Sequence, residues 1–172
     1  MRPQFLPAIA TVSLLLATLA VPPAGATEPF NRPLMISTET LARMSEDPSI
    51  RVFDVRPVEA YEAGHVPGAR HLAADNLTDP IEGSVLLRED LATMLGALGV
   101  GPDNRIVIYD SQDGLHAARL FWLLETLGHT RASVLSGGYA AWEREGWMVS
   151  AETPVTEPVE YPIDLAARPP IQ

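Results

Sequence analysis

The most regular hydrophobic pattern lies between residues 88 and 127. Leu91, Met94, Leu95 and Leu98 fall at i, i+3, i+4 and i+7. That spacing predicts a helix over 88–98, closed by Gly99, Gly101 and Pro102. Leu120, Leu123, Leu124 and Leu127 repeat the pattern and predict a second helix over 116–127, with Gly128 as its cap. Between them, 105–109 carries Ile106, Val107 and Ile108 without polar alternation. A short run apolar on both faces reads as the central strand of a parallel sheet covered from both sides. Further strands are predicted over 50–55, 70–73 and 132–135. Shorter helices are predicted over 38–46, N-capped by Ser37 with Leu41 and Met44 on one face, over 57–63, stopped by Gly64, and over 139–145, after Gly137-Gly138. Residues 65–69 read as a turn and 75–85 as a loop. Strands alternating with helices predict an α/β fold: a central parallel sheet with helices on both faces and right-handed crossovers.

The pattern fails at both ends. From residue 151 onward Pro154, Pro158, Pro162, Pro169 and Pro170 punctuate an aperiodic segment, either an extended strap on the domain or a disordered tail. At the other end, Arg2 precedes an almost wholly apolar run over 9–21, and Ala24-Gly25-Ala26 offers small residues for cleavage. This is the layout of a secretory signal peptide over 1–26, too short and too proline-flanked for a membrane span. An uncleaved anchor is the alternative. The organisation expected is therefore a leader over 1–26, a lead-in over 27–36, one domain over 37–149 and a proline-rich tail over 150–172. The address expected is the periplasm or the exterior, with no stable membrane insertion after cleavage.

Charge narrows the partners. The formal net charge is −10, and all twelve positive residues are arginine. An acidic chain without a basic run is a poor match for nucleic acid or an anionic membrane. His65, His71, His116 and His129 lack metal-ligand spacing, so no metal or other cofactor is expected. There is no cysteine, so an exported domain of this composition must be held by its core alone.

Three motifs occur in order. The first is Val52-Phe53-Asp54-Val55-Arg56, then Tyr61 and Gly64-His65-Val66-Pro67-Gly68-Ala69. The second is the strand and loop around Tyr109. The third is Val134-Leu135-Ser136-Gly137-Gly138-Tyr139-Ala140-Ala141-Trp142, then Glu145-Gly146. Together they resemble the rhodanese (thiosulfate sulfurtransferase) family. The resemblance implies sulfur transfer by a nucleophilic cysteine placed directly after the central strand. Here that position is Asp110, and a carboxylate cannot carry a persulfide. Tyr109-Asp110, Ala117-Ala118-Arg119 and Trp122 are similar to the non-catalytic N-terminal half of tandem sulfurtransferases.

The family's chemistry needs backbone N–H groups converging on a thiolate, with the positive end of a helix behind it. The corresponding loop here is Asp110, Ser111, Gln112, Asp113, Gly114, Leu115 and His116, with Leu115 where the family commonly has arginine. Asp110 is expected to accept hydrogen bonds from the N–H groups of residues 111–115 and so fill the cradle from within. A general base, a phosphorylated aspartate or a cation site are the alternatives, though the acids sit one residue off the D-x-D-G spacing. Asp54 and Arg56, at a strand end, either tie neighbouring loops together or touch a ligand. His65 reads as a structural hydrogen-bonder, Trp122 and Trp142 as core, and Trp147 as a contact residue if exposed.

The function expected is an exported rhodanese-like module that binds a protein partner through the loop and strand ends without catalysing sulfur transfer. The alternatives are a subunit of a split sulfurtransferase, with the cysteine on a partner chain, and a cation-dependent hydrolase built on Asp110, Asp113 and His116.

Overall fold

The computed structural model describes residues 33–78 and 86–163. The leader over 1–26, most of the lead-in, the end of the 75–85 loop and the end of the tail lie outside the described residues.

Five strands form one sheet: β1 (Met35–Ile36), β2 (Ile50–Asp54), β3 (Arg70–His71), β4 (Arg105–Tyr109) and β5 (Ala132–Leu135). Their order is β1-β5-β4-β2-β3, and every pairing is parallel. The helices are α1 (Thr38–Met44), α2 (Val58–Ala63), α3 (Arg88–Ala97), α4 (Leu115–Thr126) and α5 (Gly138–Arg144), with a 3-10 turn at Ala74–Leu77. From β2 the chain steps outward to β3, then returns to lay β4 on β2's other side. The carboxyl ends of β2 and β4 therefore flank the point where strand order reverses, where open α/β sheets place their sites.

The unbroken apolar run of β4 feeds two cores. Ile106 and Ile108 point to one face, with Phe53, Leu91, Leu95, Leu120, Leu123 and Leu124. Val107 and Tyr109 point to the other, with Val52, Leu41, Leu135 and Trp142. The leucines predicted from helical spacing supply the inward faces of α3 and α4, and each fully buried one contributes roughly 1.5–3 kcal/mol. Ser37 caps α1 as its sequence context suggests, its hydroxyl accepting from the Thr40 N–H at 3.2 Å.

Three expectations need correcting. Met35 and Ile36, assigned to the lead-in, form the outer strand β1: the Val134 N–H donates to the Leu34 carbonyl at 2.8 Å. The strand predicted over 70–73 is only two residues long, and the loop after it opens with the 3-10 turn. Trp122, expected in the core, is 48% exposed on α4, because Leu120, Leu123 and Leu124 occupy the covered face.

Between the two readings of the tail, residues 150–163 form an extended strap on the domain. Ser150 and His65 exchange backbone hydrogen bonds of 2.8 and 2.9 Å, and the Val159 N–H donates to the Gly96 carbonyl at 2.9 Å. Tyr161 is buried and its hydroxyl lies 2.9 Å from His129 Nδ1. Gly96, in a helix where glycine costs about 1 kcal/mol against alanine, is explained by this strap: a Cβ there would stand 2.4 Å from the Val159 carbonyl oxygen. The strap packs against α3, so the folded unit continues past residue 149.

Candidate functional site

The site begins at the last residue of β4. Tyr109 is fully buried in the strand, and the chain turns at Asp110, itself 2% exposed. Two backbone bonds fix the turn: the Tyr139 N–H donates to the Asp110 carbonyl at 2.8 Å and the Ala140 N–H to the Ser111 carbonyl at 2.9 Å. The loop thus rests on the start of α5. Gly114, with φ of 78° in the left-handed region, swings the chain into α4.

The first turn of an α-helix has N–H groups without intrahelical partners. Here they converge on Asp110. Oδ1 accepts from the Gly114 N–H at 3.1 Å, and Oδ2 accepts from the His116 and Ala117 N–H groups at 3.1 and 3.3 Å. Only Gly114 of these donors lies within 111–115; the other two lie further along, because α4 starts at Leu115 and its first turn points back to the strand end. The Leu115 N–H goes instead to Asp113 Oδ1 at 3.1 Å. A carboxylate at a helix start also gains from the dipole. The cradle is an anion site filled by its own side chain.

The remaining loop candidates face outward. Ser111, Gln112, Asp113 and His116 are exposed, and Leu115 is 68% exposed. Among the described residues no group of three His, Cys, Asp or Glu side chains stands where it could hold a metal ion. Asp110, Asp113 and His116 do not form the ligand set that the hydrolase reading requires.

The second strand end is built differently. Asp54 is fully buried at the end of β2, and Arg56 two residues on is 6% exposed. Arg56 Nε donates to both Asp54 oxygens at 3.0 Å, and its NH2 donates to Oδ2 at 2.6 Å and to the Gly64 carbonyl at 2.7 Å. The Tyr109 hydroxyl donates to Asp54 Oδ2 at 2.7 Å and accepts from the Val66 N–H at 3.1 Å. The guanidinium lies 3.7 Å over the Tyr139 ring, in cation–π range. Burial works against the Arg56 charge, but the bond to Asp54 and its negative field outweigh it and hold the pKa above the ordinary value. Burial first, then the Asp54 charge, pushes the Tyr109 phenol far above its usual value. This network ties β2, β4 and the 64–66 turn together, with Asp54 fully buried and Arg56 6% exposed.

Sequence reasoning missed Tyr109 and Tyr139 as parts of this network. The available signal was the tyrosine ending an otherwise apolar buried strand, since a buried phenol needs a partner. His65 is structural: its ring nitrogens lie 2.9 Å from the Tyr61 carbonyl and 3.1 Å from the Glu152 carbonyl, and the ring stacks on Tyr61 at 3.9 Å. Trp142 is core, and its indole N–H donates to the Met148 carbonyl at 2.8 Å. Trp147 is half-buried against Trp142.

The geometry is that of a parallel α/β domain with a loop and a helix start folded around a buried carboxylate at the reversal of strand order. The rhodanese-like domain model matches residues 37–145, and the chain belongs to that family. It is 32% identical over 136 residues to the thiosulfate sulfurtransferase of Pseudomonas aeruginosa, covering 77% of this chain and 49% of that protein. It is 29% identical over 132 residues to the sulfur carrier protein TtuD of Thermus thermophilus, covering 76% of this chain and 46% of that protein. The solved 3-mercaptopyruvate sulfurtransferase SseA of Escherichia coli superposes with a TM-score of 0.69 at 27% identity, covering 80% of this chain and 57% of that one. The chain spans about half the length of the curated relatives it matches. It is a sulfurtransferase homologue that contains no cysteine.

Proposed function

We propose that this protein is an exported rhodanese-like module that binds a protein partner and does not itself transfer sulfur. One observation carries the reading: Asp110 stands after β4 with three N–H donors already on its carboxylate. A thiolate nucleophile is absent, and the groups that would stabilise an anionic persulfide are engaged. The filled cradle also repels an incoming sulfur oxyanion. Binding falls to the surface around it. Leu115 and Trp122 lie seven residues apart on α4, both exposed, with Ser111, Gln112, Asp113 and His116 beside them on the loop. An exposed apolar pair beside polar loop groups suits a protein contact. Export is supported by the apolar run and small-residue site near the amino terminus.

The test is a thiosulfate:cyanide sulfurtransferase assay on the purified protein. The expected rate equals a no-protein blank, and turnover well above it overturns the reading. Asp110→Cys separates scaffold from chemistry: a folded variant that gains activity has a cradle still able to hold a persulfide.

A second reading draws on the chain's match to about half of each relative. In it the domain is a subunit of a split thiosulfate sulfurtransferase whose cysteine is on a partner chain. Crosslinking from Trp122, with the captured protein identified, distinguishes the two. A cysteine-bearing rhodanese-like domain supports the second reading, and a partner of another class supports the first.

A further inference from the structure

We propose that the cavity between α1 and the amino-terminal ends of β4 and β5 binds a small amphipathic anion, a carboxylate or sulfonate on a short apolar tail. Arg105 and Arg131 would take the headgroup, and Ile36 and Met44 the tail, with buried Val107 beneath. The cavity has a volume of about 380 Å³. It lies at the opposite end of the sheet from Asp110, since β4 begins at Arg105 and ends at Tyr109.

The cavity has an identifiable cause in the sequence. Along the second core, β4 presents Val107 and Tyr109, and β5 presents Ser133 and Leu135. The strand register sets Ser133 against Val107. A strand in this position ordinarily places a branched or aromatic side chain there. Serine is too short to meet α1, and its hydroxyl turns aside to donate to the Pro33 carbonyl at 2.7 Å. Val107, 0% exposed, lies beneath the cavity in the second core, while the Ala132 side chain belongs to the first core on the sheet's other face.

The rim has the opposite character. Arg105 and Arg131 are exposed, and no ion pair among the described residues engages either one. Arg131 spends one nitrogen on the Asp103 carbonyl at 3.0 Å. Asp47 is the carboxylate whose field Arg105 shares, but it is held by the Ser49 N–H and hydroxyl at 2.8 and 2.7 Å. In a chain of net charge −10, two guanidinium groups at one apolar cavity form a local positive site. Guanidinium groups recognise carboxylates and sulfonates by paired N–H···O bonds. Thr40 adds a hydroxyl to the wall. Apolar walls with a few convergent polar groups are the common makeup of small-molecule sites.

The test is an NMR titration of the whole protein at constant ionic strength with hexanoate, 1-hexanol and sulfate as probes. The expected result is saturable hexanoate binding that shifts the amides of Val107, Ala132 and Ser133. Hexanol and sulfate, each lacking half of the ligand, should bind at least about tenfold more weakly, which corresponds to about 1.4 kcal/mol. R105Q/R131Q, on the exposed rim, should keep the fold and weaken hexanoate by about tenfold or more. Ser133→Leu should fill the space and abolish binding. The proposal is overturned by an absence of saturable hexanoate binding, by equal binding of hexanol or sulfate, or by affinity unchanged in R105Q/R131Q. Binding that survives a folded Ser133→Leu also overturns it. Should that variant fail to fold, the arginine pair alone decides.

Discussion

Two buried carboxylates sit at neighbouring strand ends, and they are satisfied by different means. Asp54, after β2, faces a full positive charge: its oxygens are taken by the Arg56 guanidinium, with a tyrosine hydroxyl added. Asp110, after β4, pairs with no side-chain cation among the described residues; its bonds come from the backbone of one loop and one helix start. The first is a cross-element rivet whose members depend on one another. The second is a local helix cap. The fold should lose the second more cheaply than the first, because a cap is local and the rivet joins three elements.

The largest effect that probes this difference is Asp54→Ala. It strands the Arg56 guanidinium, which keeps the Gly64 carbonyl and the faces of Tyr139 and Tyr109 but no counter-ion. Removing one partner of a buried pair costs about 3–5 kcal/mol. Urea denaturation should show that loss, and a cost under about 1 kcal/mol would break the contrast by showing Arg56 able to reach water. Asp110→Ala comes next. Its N–H donors lie in a loop and a helix start beside exposed residues, where water can replace the side chain. A lost cap costs about 0.5–2 kcal/mol, so the variant should remain folded with its midpoint lowered. A cost equal to that of Asp54→Ala would overturn the reading of Asp110 as a local cap.

The contrast also explains what the sequence made legible. Periodicity located β4, α3 and α4 because each carries three or more apolar residues at one spacing. The Asp110 cap was legible in kind, since it follows from helix-end chemistry, but two of its three donors, His116 and Ala117, lie beyond the expected 111–115. The Asp54–Arg56 tie, two residues apart, was also open to the sequence, but its Tyr109 member was not, because Tyr109 meets Asp54 across 55 residues and no local pattern encodes that. β1 was missed because two residues carry no period. Trp122 was misplaced because Leu115, Ala118 and Trp122 form a second apolar stripe on α4, and periodicity alone does not tell which stripe the domain covers. The strap was left open because its order comes from α3 and His129, not from itself.

Tyr109→Phe removes one hydroxyl that serves the rivet twice, as donor to Asp54 and acceptor from Val66. The expected cost is about 1–2 kcal/mol. The same residue gives a pH signature. Burial raises the Tyr109 phenol far above its unfolded value, and burial pushes Tyr161 up to about 12. Above about pH 10 the unfolded chain loses these protons while the folded one keeps them. This contribution is therefore fully present below about pH 10 and is lost as pH rises towards the folded values. Denaturation midpoints should fall above that pH, less steeply in Tyr109→Phe. An equal slope in both proteins would remove Tyr109 from the account. The Asp110 carboxylate has no part in raising the Tyr109 or Tyr161 phenols, so Asp110→Ala should leave the alkaline slope unchanged.

Asp110→Asn carries the smallest expected change and the sharpest test of the comparison. The amide keeps one acceptor oxygen, which can serve His116 and Ala117 together, while its NH2 must face the Gly114 N–H. One hydrogen bond and the charge at the helix start are lost. Charge near a helix N-terminus contributes about 0.3–1 kcal/mol, and a net hydrogen bond about 0.5–1.5 kcal/mol. A total of about 1 kcal/mol follows if the amide oxygen settles on the two-donor side. Asp54→Asn should cost more than that, because Arg56 then keeps a buried charge with no counter-ion. Equal costs for the two asparagine variants would mean that the charge matters as much at the cap as at the rivet, and that Asp110 holds its place by electrostatics more than by cap geometry.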